Sequence, residues 1–147
     1  MNALVRRPPG VVLHAAIALC TTAMLVISAP LASAEPQLRR ANTHGAISIS
    51  ADGAFGKSWN YPDKTSAFKR ARKHCKQESA YPGTCIDAVW VRNGCAAVAV
   101  HYKKGFVTEY GWGVAKSRKK AMREAHDTCT QHFGKCKRLT AVCSPRP

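Results

Sequence analysis

Acidic residues are scarce in this chain: eight Asp and Glu stand against 23 Lys and Arg, a formal net charge of +15. The eight are Glu35, Asp52, Asp63, Glu78, Asp87, Glu109, Glu124 and Asp127, and no two stand out in sequence as the carboxylate pair of a two-acid hydrolase. Aromatics are also few, at 7%, and no nucleic-acid motif accompanies the basic charge. Nucleic acid is therefore a weaker partner for that charge than an acidic protein or an anionic surface. The long apolar run is confined to residues 11–27, so the chain beyond it carries no transmembrane span.

That apolar run has the marks of a targeting segment. Arg6 and Arg7 precede it without an acid, and Pro30 and Ala32-Ser33-Ala34 follow it. A basic start, an apolar middle and an A-x-A end define a secretory signal peptide over 1–34, cleaved after Ala34. An uncleaved anchor is the competing reading, because the run is close to the minimum length for a span. A lipid on Cys20 is disfavoured by the bulky Leu19 before it. Cleavage leaves residues 35–147, with 21 Lys and Arg against eight acids and a net charge of +13. Such a charge attracts acidic surfaces of any kind. This length makes one domain that buries roughly two thirds of its unfolded surface. The predicted location is extracytoplasmic.

Cysteine is the residue the mature chain does have. Cys75, Cys85, Cys95, Cys129, Cys136 and Cys143 remain once Cys20 is set aside, an even number that in an exported chain of this size predicts a disulfide framework.

Their placement follows a repeat. AFKRARKHC (67–75) and AMREAHDTC (121–129) both read Ala, three residues, Ala, three residues, Cys. Positions i, i+4 and i+8 share one helix face, so each copy offers a stripe of small side chains ending in a thiol. Around these helices the strands repeat. Residues 35–43 form a flexible polar arm, and the ordered domain spans 44–147. GAISIS (45–50) and AFGKSW (54–59) flank the Asp52-Gly53 turn. The first helix runs from about Lys64 to Glu78, capped by Asp63 or Thr65. CIDAVWV (85–91) follows, with Ile86, Ala88 and Trp90 alternating against Asp87, Val89 and Val91. Asn93-Gly94 is a hairpin signal leading into CAAVAVHY (95–102). FVTEYGW (106–112), a helix over about Arg118–His132 capped by Ser117 and ended by Gly134, and KCKRLTAVC (135–143) complete the second copy.

The fold class is α+β: two tandem ββαβ units forming a mainly antiparallel sheet with two packed helices. A thiol at each helix end points at the strand that opens with the next thiol, which pairs Cys75 with Cys85 and Cys129 with Cys136. Cys95 then pairs with Cys143, across antiparallel strand ends. Each bridge contributes about 2–4 kcal/mol.

HGAISIS, GKSW, VWVRNGCAAVAV, YGWG and AVC together resemble the small exported bacterial family known as domain-of-unknown-function 4189, over His44–Cys143. The resemblance implies export and cysteine cross-linking, and an effector- or immunity-type role outside the producing cell. It implies no catalytic residues. The chain is more basic than the family pattern leads one to expect, which points to a partner particular to this member.

Candidate sites divide by chemistry. His126, Cys129, His132 and Cys136 have spacings compatible with tetrahedral zinc, but export favours oxidised thiols, so no metal or cofactor is expected. A nucleophile requires a free thiol, and His101 beside Cys95 is the one pairing to consider. Glu109 faces His101 across a hairpin as a cross-strand surface pair. The tryptophans, Trp59, Trp90 and Trp112, read as core or sheet-face packing. The functional hint lies in the helices. Lys69, Arg70, Arg72, Lys73 and Lys76 in the first, and Arg118, Lys119, Lys120 and Arg123 in the second, project away from the small-residue stripes with few acids to neutralise them. The bland reading is a solubilising face. The functional one is a secreted, non-enzymatic binding or effector protein whose basic helical face meets an acidic partner. An inhibitor or immunity protein against an extracellular hydrolase is the alternative.

Overall fold

Small side chains at every fourth position let each helix lie directly on a sheet, and this close approach organises the structure, a computed structural model describing residues 42–145. The expected signal peptide, its expected cleavage point and most of the expected polar arm lie outside the described residues. Strands β1 (His44–Ile49) and β2 (Phe55–Tyr61) precede helix α1 (Lys64–Glu78), a 3-10 turn (Pro82–Thr84) and β3 (Ile86–Arg92). Strands β4 (Gly94–Lys103) and β5 (Phe106–Ala115), helix α2 (Arg118–Phe133) and β6 (Lys137–Ser144) repeat the order. The result is two ββαβ repeats, packed with their two helices and stapled by three disulfides.

The strands divide into two antiparallel three-stranded sheets, β2-β1-β3 and β5-β4-β6. They do not join edge to edge. Their inner faces meet in one apolar cluster of Ile47, Ile49, Val89 and Val91 from the first sheet with Ala96, Val98, Val100 and Val142 from the second. The outer faces take the helices. Ala46 packs with Ala67 and Ala71 of α1, and Cys95, Ala97 and Ala99 pack with Ala121, Ala125 and Cys129 of α2. The layers therefore run helix, sheet, sheet, helix. A single sheet would leave these inner faces in water.

Asn93-Gly94 is not a hairpin. β3 pairs with β1, while β4 pairs with β5 and β6, so this dipeptide carries the chain from one sheet to the other. Asn93 adopts a left-handed backbone (φ 54). Its N–H donates to the Thr43 carbonyl at 3.0 Å, and its Oδ1 accepts from the Thr43 N–H at 3.0 Å. These bonds replace the cross-strand pairing of a hairpin. Thr43 Oγ1 also donates to the Pro145 carbonyl at 2.7 Å, so the chain just before β1 is tied to the end of β6.

The expected alternation in β3 breaks at a β-bulge. The register slips between Ile47 and Ser48, so Asp87 pairs with Ser48 and Val89 with Ile47. An extra residue in one strand re-aims its neighbours. Val89 stays in the core, while Asp87 turns outward to the helix side with Trp90. The second repeat has its bulge at the corresponding place, between Val98 and Ala99, and there Arg138 pairs with Ala99.

The tryptophans are not core. Trp59, Trp90 and Trp112 are 57%, 39% and 51% exposed, because β2, β3 and β5, which carry them, are all edge strands. Trp90 stacks on His44, with ring centroids 5.9 Å apart, and carries Lys64 Nζ 5.0 Å from its centre.

Glycine explains the helix seats. A Cβ on Gly56 would meet the Ala71 carbonyl and the Cys75 amide, and one on Gly111 would meet the Ala125 carbonyl and the Cys129 amide. Helix capping is local: Asp63 Oδ1 accepts from Ser66 N–H at 2.8 Å, and Ser117 Oγ accepts from Lys120 N–H at 3.4 Å. The Ser66 backbone donor holds the Asp63 carboxyl below its usual range. At the far end Gly134 (φ 80) donates to the Thr130 carbonyl at 3.0 Å. Cys75–Cys85 and Cys129–Cys136 each clamp a helix end to the chain just beyond it, and Cys95–Cys143 joins β4 to β6 at a direct register pair.

Candidate functional site

Two chemistries weighed from sequence lose their reactants. Cys129 and Cys136 are bonded to each other, so they cannot complete a zinc site with His126 and His132. Cys95 is bonded to Cys143, and His101 Nδ1 lies 2.9 Å from the Lys135 carbonyl. His101 and Glu109 are directly opposed across β4 and β5. Among the described residues no cluster of three His, Cys, Asp or Glu could hold a metal, and no helix is long and apolar enough to cross a membrane.

The basic residues fall on both outer layers. Lys69, Arg70 and Lys73 lie on α1, with Arg72 and Lys76, while Arg118, Lys119, Lys120 and Arg123 lie on α2. The two sheets stand between the helices, so these residues form two separate basic faces, not one.

On each face a groove opens between the helix and the third strand of its repeat. The first encloses about 600 Å3 and is bordered by Lys64, Phe68, Lys69, Arg72, Lys73 and Asp87, among others. The second encloses about 530 Å3 and is lined by Arg118, Lys119, Met122, Arg123, Arg138 and Ala141. Four positions correspond: Lys64 with Arg118, Phe68 with Met122, Lys69 with Arg123, and Asp87 with Arg138. In each, the half-buried Phe68 or Met122 forms an apolar floor beneath cationic side chains. The shared bulge supplies the strand residue. Without it Asp87 and Arg138 would not turn to the helix side.

Their electrostatics differ. Asp87 accepts from Arg72 Nε at 3.1 Å, pairs with the same guanidinium through its other oxygen, and accepts from the buried Ser48 hydroxyl at 3.0 Å. That hydrogen-bonded carboxylate raises the pKa of Arg72 above its ordinary value. The first groove thus neutralises part of its own charge. The second has Arg138 where the first has Asp87, His126 where it has Arg72, and Ala99 where it has Ser48. No acid lines it. Arg118 is anchored there by donating to the neutral Ala141 carbonyl at 3.1 Å, which leaves its charge uncompensated.

Sequence reasoning missed Asp87 and Arg138 as groove residues, because the helix pattern that marks the other cations does not reach the strands. The spacing between repeats would have aligned them: Cys85 and Cys136 each stand two residues earlier.

Comparison with known proteins places the chain in a family. The model of a family described as a domain of unknown function (DUF4189) matches residues 44–143. The protein Rv1269c of Mycobacterium tuberculosis strain H37Rv and the protein Mb1300c of Mycobacterium bovis are each 32% identical over 85 residues, 58% of this chain. The match spans 60% of the length of those proteins. The NMR structure of Rv1813c from Mycobacterium tuberculosis aligns over 92% of this chain and 100% of that one, at 24% identity and a TM-score of 0.45.

Proposed function

The chain belongs to the DUF4189 family, and from that premise we propose that it is an exported, non-enzymatic binding protein whose basic helix faces engage an acidic protein or an anionic surface. One observation carries this reading. Both repeats build a groove of the same design, with cations around an apolar floor, and in the first only Arg72 is paired with an acid of the groove. A surface that served only solubility would not need a groove, nor a bulge in the same place twice to shape it. The disulfides support the reading in a second way. They hold the helices in place while like charges repel along them, so the charge density does not have to be relieved by internal acids.

The test is charge reversal in two sets, Lys69, Arg70 and Lys73 to Glu, and Lys119, Lys120 and Arg123 to Glu. The readout is retention of the mature chain on anionic vesicles and on an acidic-polymer resin at low and high salt, with circular dichroism to confirm folding. Wild-type protein is retained and released by salt, since exposed charges are screened within about 10 Å at 0.1 M. Retention that survives both sets of reversals together with high salt overturns the reading.

A further inference from the structure

The two grooves share a design and the same net formal charge, but the first includes a carboxylate and one guanidinium whereas the second has three guanidinium groups and no carboxylate, and this difference points to a ligand. We infer that the groove between α2 and β6 is a binding site for an amphiphilic anion, a phosphate monoester head carried on a short apolar tail. This rests on the reading of the chain as a binder of anions, and narrows it to one groove and one chemistry.

The head is indicated by three guanidinium groups, on Arg118, Arg123 and Arg138, with Lys119 beside them and no carboxylate in the lining. Planar guanidinium forks match a phosphate two bonds at a time, and three of them exceed what a single carboxylate needs. The opposite flank of α2 does carry acids: Arg123 also borders a hollow with Lys120, Glu124 and Asp127. Negative charge is thus present on this helix but kept to the side away from β6. Arg118 is held toward β6 by its bond to the Ala141 carbonyl, so part of the cation set is already positioned.

The tail is indicated by the floor. Met122 is half-buried and Ala141 is buried, and Met122 packs against the small-residue cluster beneath α2. Methionine adapts to irregular apolar partners, and the arginine stems extend the apolar lining while their heads reach solvent. A volume of about 530 Å3 is in the range of small-molecule sites. The first groove is the internal control. Asp87 occupies the place of Arg138 and holds Arg72, so an incoming phosphate there would meet a carboxylate.

The experiment is isothermal titration calorimetry of the mature, disulfide-bonded chain with octyl phosphate below its micelle concentration, with inorganic phosphate and octanol as the separate parts. Octyl phosphate is expected to bind one per chain, at least about tenfold tighter than inorganic phosphate, the gain from burying two or so methylenes. Arg138→Asp should weaken it at least about tenfold. The repeat itself shows that an aspartate is tolerated at this strand position. Met122→Gln should abolish the advantage over inorganic phosphate while leaving phosphate binding intact, and Lys69→Glu in the other groove should change nothing. Equal affinity for octyl phosphate and inorganic phosphate overturns the inference. So does loss of binding on Lys69→Glu but not on Arg138→Asp, or two equal sites per chain; in those cases the general anion-binding reading stands. Absence of any binding by these probes also overturns it, and the vesicle and resin retention then decides separately whether the broader reading falls too.

Discussion

The first repeat is held by one disulfide and polar networks around two aspartates, the second by two disulfides that tolerate its unneutralised cations. Asp52 and Asp87 organise the first: one gathers the β1–β2 turn and the end of α1, the other joins α1 to β3. At the corresponding places the second repeat has Lys104 and Arg138. It has a cross-strand disulfide, Cys95–Cys143, where the first repeat has the simple register pair of His44 and Arg92. Fixing the second repeat by cross-links leaves its groove cations without acidic partners, Arg118 alone being tied to the backbone, at the Ala141 carbonyl. Duplication supplied two similar seats for a helix, and divergence let one half pair a groove cation with an internal acid while the other kept a groove without a carboxylate.

The largest test of this contrast is removal of the cross-strand bridge. Cys95 and Cys143 close a separation of 48 residues, against 10 for Cys75–Cys85 and 7 for Cys129–Cys136. On the chain-entropy account, replacing Cys95 and Cys143 by Ala costs about 4 kcal/mol, and each of the others about 2.5 kcal/mol. Urea unfolding of the three double variants measures this. If the first-repeat bridge proves the costliest, the second repeat does not depend on covalent locking as described.

The glycine seats should behave alike in both halves. Gly56→Ala and Gly111→Ala each press a methyl group into helix backbone that a nearby disulfide prevents from retreating. Each is expected to lose about 2–3 kcal/mol. Gly83→Ala, whose added methyl meets nothing within 4 Å, should stay within about 0.5 kcal/mol of wild type. A clear inequality between Gly56 and Gly111 would show that the two helices are not seated equivalently.

Asp87→Arg gives the first groove the second groove's strand residue. It releases Arg72 and leaves the buried Ser48 hydroxyl without its acceptor, costing about 1–2 kcal/mol. In return the variant should bind octyl phosphate at two sites where wild type has one. A stable variant with an unchanged stoichiometry would mean that charge at this strand position does not separate the halves.

Much of this was legible in the sequence, and the exceptions have a common cause. The helices announced themselves through Ala67, Ala71 and Cys75 and through Ala121, Ala125 and Cys129, because a close helix seat admits only small side chains and the stripe has the helix period. The strands were legible from turns and β-branched runs. Which strands share a sheet was not. β1 and β4 are buried on both faces, so alternation gives no inside and outside, and Asn93-Gly94 reads as a hairpin unless the partner of Asn93, Thr43, is known. The bulges were equally hidden, since a one-residue slip depends on the partner strand. The groove was therefore half-visible: its helical cations follow from periodicity, whereas Asp87 and Arg138 enter only once the slip turns them outward. The separation of the two basic faces followed from the same sheet division.

The smallest expected effect concerns the first turn, where the halves differ by an acid. Asp52 accepts from the Ser50 hydroxyl, from Ser79 Oγ at 3.0 Å and from the Ala54 and Ala80 N–H groups at 3.1 and 2.8 Å. These donors, Ser50 foremost, lower its pKa from 3.8 to about 2. A carboxylate depressed on folding contributes stability that is fully present above its unfolded pKa. That contribution fades as pH falls from about 4 toward 2 and is gone below the folded value. Because the site is partly open to water, the effect is about 1 kcal/mol or less. Asp63 is depressed too and titrates in the same direction, so the informative quantity is the difference between wild type and Asp52→Asn. That difference should be flat from neutral pH down to about 4 and shrink steadily toward pH 2, as followed by urea unfolding at each pH. Lys104 and Gly105 make the equivalent turn without an acid, through left-handed backbone at φ 53 and 87. Lys104→Ala should accordingly give a stability difference that does not change over the same window. A matching acid dependence there would mean that the second turn also leans on a carboxylate, and the division of labour between the halves would fail at its simplest point.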